Sequence, residues 1–274
     1  MNKIGVFLGS GGNKVFFVNG VLKVFAEEKI NLDHLIGLSS SSAVLFIHLL
    51  NCHEHSLDIF GNRLKKNKHN FYFNKKEKFP HNKIYKSAIT EMFNTYGLPK
   101  NNKISYTIIA TQTEPKSKKI KGLIATLVMG LKFLKINILP GIKKILEIKP
   151  LYIQSDEIKK MSQKEITNLI MGSSTIYPFI KLNVLNEKLI LEGDLAEVDP
   201  IKLLAKFDKK IIIHTTRGNT EIKNNILHIY SSQPIPNDIL DYTDDTTIRT
   251  LYENGKKDTQ DNLDLIKNYL SEKL

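Results

Sequence analysis

Two strand-to-helix turns within the first fifty residues constrain this chain more than any other feature of it. The apolar run Lys3-Ile4-Gly5-Val6-Phe7-Leu8 reads as a buried strand and stops abruptly at Gly9-Ser10-Gly11-Gly12-Asn13-Lys14. From Lys14 to Glu28 the residues Phe17, Val21, Leu22, Val24 and Phe25 form an apolar stripe at helical spacing. A second short strand, His34-Leu35-Ile36-Gly37, runs into a serine-rich turn, and an apolar helix follows from about Ser42 to Leu50. Strands that each lead directly into a helix pair in parallel, because the crossover helix must return the chain to the same edge. The expectation is an α/β chain, with helices on both faces of a mostly parallel sheet.

The remainder of the sequence extends this pattern. Residues 62–82 read as a basic loop and 83–96 as a helix. Ile104-Ser105-Tyr106-Thr107-Ile108-Ile109-Ala110-Thr111 is a strand by its β-branched alternation. A helix is expected over 156–171, strands over 188–192, 209–215 and 226–230, a short helix near 200–207, and a last helix over 258–272. No repeat or low-complexity linker divides the chain, so residues 1–274 are expected to form one domain.

The one cysteine, Cys52, excludes an intrachain disulfide and a thiolate zinc cluster. His53-Glu54-His55 is too closely spaced for the zinc-binding His-Glu-x-x-His face, and both histidines are expected in a solvated loop. No metal and no cofactor is anticipated. There is no signal-peptide pattern and no run of roughly 18 apolar residues, so a cytoplasmic location is expected, with peripheral attachment to membranes.

The formal net charge of +12 calls for an anionic partner. It is concentrated. Residues 62–86 hold nine Lys or Arg against Glu77 alone, and residues 115–150 hold nine Lys against Glu147 alone. In the second block Ile120, Ile124, Leu127, Leu131 and Leu134 recur at helical spacing among Lys118, Lys119, Lys121, Lys132 and Lys135. An apolar face edged with lysines suits an anionic bilayer surface, and it equally describes a helix packed on a core with solvated lysines. Residues 69–79 set Phe71, Tyr72 and Phe73 among lysines as a base-stacking platform would, but no nucleic-acid-binding module surrounds them, and no nucleic acid is expected as a partner.

Three short segments carry chemistry. The glycine loop presents backbone amides beside a positive helix N-terminus, which suits a phosphate or an oxyanion. It is neither a Walker loop nor a dinucleotide fingerprint, because Lys14 stands where the last glycine belongs. Gly37-Leu38-Ser39-Ser40-Ser41 places Ser39 where a sharp strand-to-helix turn exposes a nucleophilic hydroxyl; a plain helix cap is the simpler account of such a serine. Leu191-Glu192-Gly193-Asp194 puts two acids after a strand, as a base for a serine or as a solvated turn.

In this order the segments resemble the patatin-like phospholipases. GSGGNKVFFVNGVLKVFAEEKI followed by GLSSSSA is similar to the opening of that family, SSTIYPFIKL (173–182) to its segment ahead of the catalytic acid, and EGDLAEVDP (192–200) to its Asp-Gly-Gly motif. The resemblance touches roughly residues 3–50 and 170–205. It implies a three-layer α/β/α patatin-like fold and a serine acyl hydrolase that cleaves fatty-acyl esters of phospholipids or related lipids. It also implies that Ser39 is the nucleophile, that Glu192 occupies the position of the dyad aspartate, with Asp194 as the other acid at hand, and that Gly11, Gly12 and Asn13 supply the oxyanion hole. Lys14 matches the loop's basic residue, and family members use a Ser-Asp pair without histidine. The sequence departs from the family at Val15, Ser41, Glu192 and Asp194. Those departures leave two alternatives: a catalytically silent fold that binds anionic membranes or a partner, and an esterase with His214 or His228 as base.

Overall fold

The computed structural model describes residues 2–100, 103–133, 147–236, 238 and 240–272, and the side chains of 129–133 are outside that description. The chain is mixed α/β, with a mostly parallel central sheet and flanking helices. The sheet has nine strands: β1 (Ile4–Leu8), β2 (His34–Leu38), β3 (Ser105–Thr113), β4 (Lys149–Gln154), β5 (Asn183–Leu185), β6 (Lys188–Leu191), β7 (Lys209–Arg217), β8 (Glu221–Lys223) and β9 (Ile226–Ser231). Their order is β5-β6-β3-β2-β1-β7-β9-β8, with β4 also pairing β3. The five strands β3, β2, β1, β7 and β9 run parallel. Strands β4, β5, β6 and β8 are added antiparallel.

Side chains alternate between the faces as the period of two demands. Val6, Leu8, Leu35, Ile108, Ile211 and Ile213 enter the larger core beneath α1 (Val15–Glu27), α2 (Ser41–Leu49), α3 (His53–Lys66) and α4 (His81–Tyr96). Phe7, Ile36, Leu38, Ile109 and Ile212 point the other way, onto Leu204 and Phe207. On that second side α5 (Lys118–Phe133) rests Ala125 and Val128 on Leu189, Leu191 and Leu195. The other helices among the described residues are α6 (Ser155–Ile158), α7 (Gln163–Ser173), α8 (Pro200–Leu204), α9 (Thr246–Asp261) and α10 (Leu263–Ser271). This arrangement is compatible with three α/β/α layers.

Several expectations are corrected. His53 does not lie in a loop: it opens α3, is buried, and binds the Asn19 side chain through Nδ1 at 2.7 Å. His55 is in the same helix and exposed. The expected basic loop therefore begins only after Lys66. The helix expected over 156–171 is two pieces, because Ser162 and Glu165 form a capping box that starts α7 afresh. The single terminal helix is likewise α9 and α10, separated at Asn262. The short strands β4, β5 and β8 were not expected from the sequence. In the lysine-rich block α5 exists, with Ile120 and Leu127 each 60% exposed and Ile124 packed inward. Leu134, Lys135 and the rest of that block up to residue 146 lie outside the described residues, as does the Leu131 side chain.

Helix α1, which carries the glycine loop at its start, is held by an unusually close crossing with α9. A Cβ on Gly20 would overlap the Tyr252 carbonyl oxygen, and one on Gly255 would overlap that of Phe17. Backbone contacts of this kind cannot be relieved by a rotamer change, and overpacking there is costly. Gly255→Ala is expected to lower the unfolding free energy by about 3 kcal/mol, read as a fall in the urea midpoint; an unchanged midpoint would contradict the crossing.

Candidate active site

Parallel strands deliver their carboxyl ends to one edge, and three of the segments singled out by the sequence meet there. Gly9 continues β1, and its N–H donates to Ile213 O at 2.8 Å. A side chain at position 9 would strike that oxygen at 2.6 Å. Gly11 has φ +132° and Gly12 φ +57°, in the region that favours glycine, so the loop turns sharply before the short turn Gly12–Lys14. The first N–H groups of such a turn have no acceptor within it. Thr215 fixes the loop from β7 by donating its hydroxyl to Ser10 O. Asn13 is buried, and its side-chain amide donates to Asp241 O at 2.6 Å.

Ser39 sits between β2 and α2 at φ +52°, a strained value for a serine and the expected geometry of a nucleophile elbow. Gly37 is needed because a Cβ there would approach Ser41 O at 3.0 Å. The departure at Ser41 has a structural use. Its hydroxyl accepts from Leu38 N at 3.0 Å and lies 2.7 Å from Leu38 O and 3.0 Å from Leu8 O, tying the turn to β1. From the other side the Ser39 N–H donates to Ser173 Oγ at 2.8 Å, and Ser173 donates to Ile109 O at 2.7 Å.

The register of β3 brings the acid to the serine. Leu38 pairs Ile109 on one side of β3, and Leu191 pairs Thr111 on the other, so Ser39 and Glu192 leave their strands at nearly the same height. Two strand spacings, roughly 9–10 Å, would separate their backbones, but the chain folds back over β3 at Gly193. A Cβ at 193 would meet Ile109 O at 2.7 Å, Leu38 Cβ at 2.9 Å and Ser39 N at 3.3 Å. Only glycine permits that approach. Glu192 is 1% exposed, and its Oε1 accepts from Asp194 N at 3.4 Å, while Oε2 is buried without a partner among the described residues. Burial pushes its pKa well above the usual carboxylate range, and the nearby Asp194 charge adds to this; interaction with the Ser39 hydroxyl pulls it partly back. Asp194 is placed differently, accepting from Ser10 Oγ at 3.1 Å, and so links the acid turn to the glycine loop.

A cleft opens in front of this turn. Gly12, Asn13, Ser39 and Ser40 share its polar end. Beyond them the walls are apolar: Ala43, Val44 and Ile47 from α2, Phe60 from α3, Ala88 and Met92 from α4. Lys14 leans over Gly11, forms no ion pair with a described carboxylate, and has its pKa lowered by burial. His214 and His228 bind each other, Nε2 to Nδ1 at 3.0 Å, and burial pushes His214 down to about 4. Neither has a described contact with Ser39.

Among the site residues, Ser10, Ser173 and Thr215 had no predicted role. Only their small polar character near the motifs could have marked them. The same is true of the Asp241 and Tyr242 region, where Tyr242 lines the cleft. No protein-family model matches the chain, and no curated protein is significantly similar to it. Among the described residues no cluster of His, Cys, Asp or Glu could hold a metal, and no helix is long and apolar enough to cross a membrane.

The raised Glu192 pKa predicts a pH effect on stability. The folded chain prefers the protonated acid, so this contribution is complete below the unfolded pKa of glutamate. It is lost as pH rises through the raised folded value. Glu192→Gln carries no charge at any pH, so its Tm advantage over the natural chain should widen with rising pH across that window. Parallel Tm–pH curves would show that Glu192 ionises without penalty.

Proposed function

We propose that this protein is a serine acyl hydrolase of the patatin-like kind, cleaving fatty-acyl esters of phospholipids or related lipids through Ser39 and Glu192. The observation that carries the reading is the strained Ser39 turn, with the buried Glu192 brought beside it by the close passage of Gly193 and an apolar cleft in front. The cleft is suited to an acyl chain, because most of its lining is apolar.

In this mechanism the Glu192 carboxylate takes the Ser39 proton as Oγ attacks the ester carbonyl carbon. The tetrahedral oxyanion is held by backbone N–H groups of Gly11, Gly12 and Asn13, with the Ser40 N–H as a further donor from the start of α2. The intermediate collapses, the ester C–O bond breaks, and the departing alcohol takes the proton back from Glu192. Water then attacks the acyl-enzyme with Glu192 again as base, releasing the fatty acid and restoring Ser39. A raised pKa suits a base that works near neutrality. Lys14 adds positive potential beside the loop, favouring an anionic substrate.

Turnover of fluorogenic acyl esters and phospholipids tests this. Ser39→Ala should remove activity to background, a loss of about 1,000-fold or more, and Glu192→Gln should cost on the order of 100-fold. His214→Ala and His228→Ala should retain activity. In the natural chain kcat/KM should rise with pH through the raised Glu192 pKa, giving an acidic limb above the ordinary carboxylate range. Loss of activity with either histidine variant would favour the triad reading instead.

One observation favours a second reading, a catalytically silent fold that binds anionic membranes. Burial raises the Glu192 pKa, and in its protonated form the acid takes no proton from serine. Lipid binding without turnover in the natural chain would select this alternative.

A further inference from the structure

Four of the nine large apolar side chains exposed among the described residues lie on two surface elements, each set among exposed lysines. The first is the loop between α3 and α4. At its tip Phe73 is 85% exposed, yet its ring is braced by Phe71 with centroids 4.7 Å apart. Phe71 packs on Phe79, which packs on Phe179. The tip is thus rooted in the body of the protein. Around it Lys68, Lys75, Lys76 and Lys78 are exposed and form no ion pair with a described carboxylate. The second is the outer face of α5, where Ile120, Leu123 and Leu127 are 60%, 53% and 60% exposed. Lys116, Lys118 and Lys119 lie at its N-terminal end, also exposed and without such a pair.

These two elements flank one segment. Glu77 of the loop forms an ion pair with Lys181. The next residue, Leu182, is the nearest neighbour of Gly122 in α5. Exposed Val184 lies beside Ile120. The same stretch supplies Ile176 and Ile180 to the cleft wall. The loop is also tied to the catalytic turn: Asn70 donates to Asp241 Oδ1 at 2.9 Å and accepts from Tyr242 N at 2.8 Å, while Asp241 O holds Asn13.

We propose that the Phe73 loop and the outer face of α5 form one docking surface for an anionic phospholipid membrane, set around the rim of the acyl cleft. Exposed aromatic and aliphatic side chains enter the headgroup boundary, and lysines beside them pair with lipid phosphates. Charge complementarity selects this occupant: the two elements together present seven exposed lysines that form no ion pair with a described carboxylate, Lys75 resting over the Tyr72 ring. Docking there places the cleft rim against the lipid layer, so that an acyl chain passes from membrane to cleft without crossing water. The inference deepens the lipid-hydrolase reading, and its test separates the two.

The test is flotation of the purified chain with vesicles of phosphatidylcholine alone and of phosphatidylcholine with phosphatidylglycerol, across a salt series. A soluble short-chain ester is assayed in parallel. Binding should require phosphatidylglycerol and weaken with salt. Phe73→Asp, the Lys75→Glu/Lys76→Glu/Lys78→Glu triple variant and the Ile120→Asp/Leu127→Asp double variant should each weaken it by about tenfold or more, with unchanged Tm and unchanged soluble-ester turnover. No binding to anionic vesicles, or binding indifferent to these substitutions, overturns the docking surface. Uptake of a single-stranded oligonucleotide in place of vesicles overturns it in favour of nucleic acid. Vesicle binding of the expected pattern with no ester turnover leaves the docking surface standing and removes the hydrolase reading.

Discussion

The close passage of Gly193 over the end of β3 is the constraint on which the site depends. It brings a chain segment within 3.3 Å of the Ser39 amide, measured from where a side chain would begin, and so carries a buried carboxyl to the serine. The consequences are electrostatic. A carboxyl in that position loses its water, gains a neighbouring acid, and has little but the serine hydroxyl and nearby amides to offset this. Its affinity for a proton rises, which costs the fold stability when it ionises and, in the proposed mechanism, supplies the base. The local price and the proposed chemistry have one origin.

Hydroxyl groups hold the strained turn where glycine would otherwise relax it. Ser41 bridges the turn to β1, Ser173 joins the Ser39 amide to β3, and Thr215 fixes the glycine loop to β7. Each is buried, so its bonds form without competition from water. Outside this shell Asn13, Asn70 and Asn67 bind the Asp241–Tyr242 stretch. That stretch thereby connects the glycine loop, the cleft wall and the exposed Phe73 loop in one polar network.

The opening of the fold was legible because its signals are local. Glycines after a buried strand, an apolar stripe at helical spacing, and a serine after a second strand each require only a few neighbouring residues to interpret, and β1, α1, β2 and α2 fall within a residue or two of their expected bounds. Ser39 and Glu192 were legible for the same reason, as residues that follow strand ends. What could not be read depends on distant partners. His53 looks solvated until Asn19 is seen beside it. The break at Asn262 and the antiparallel strands β4, β5 and β8 follow from packing and pairing, with no strong local signal. The role of Ser173 requires knowing that α7 ends beside the Ser39 turn, and the separate placements of Glu192 and Asp194 follow from the register of β6 on β3.

The central claim is that Ser39 is an activated nucleophile, and intact-mass analysis after exposure to a fluorophosphonate tests it most directly. The account predicts one adduct, located on Ser39, absent in Ser39→Ala, and forming faster as pH rises through the raised Glu192 pKa. An unmodified chain at every pH, or an adduct that persists in Ser39→Ala, would contradict it.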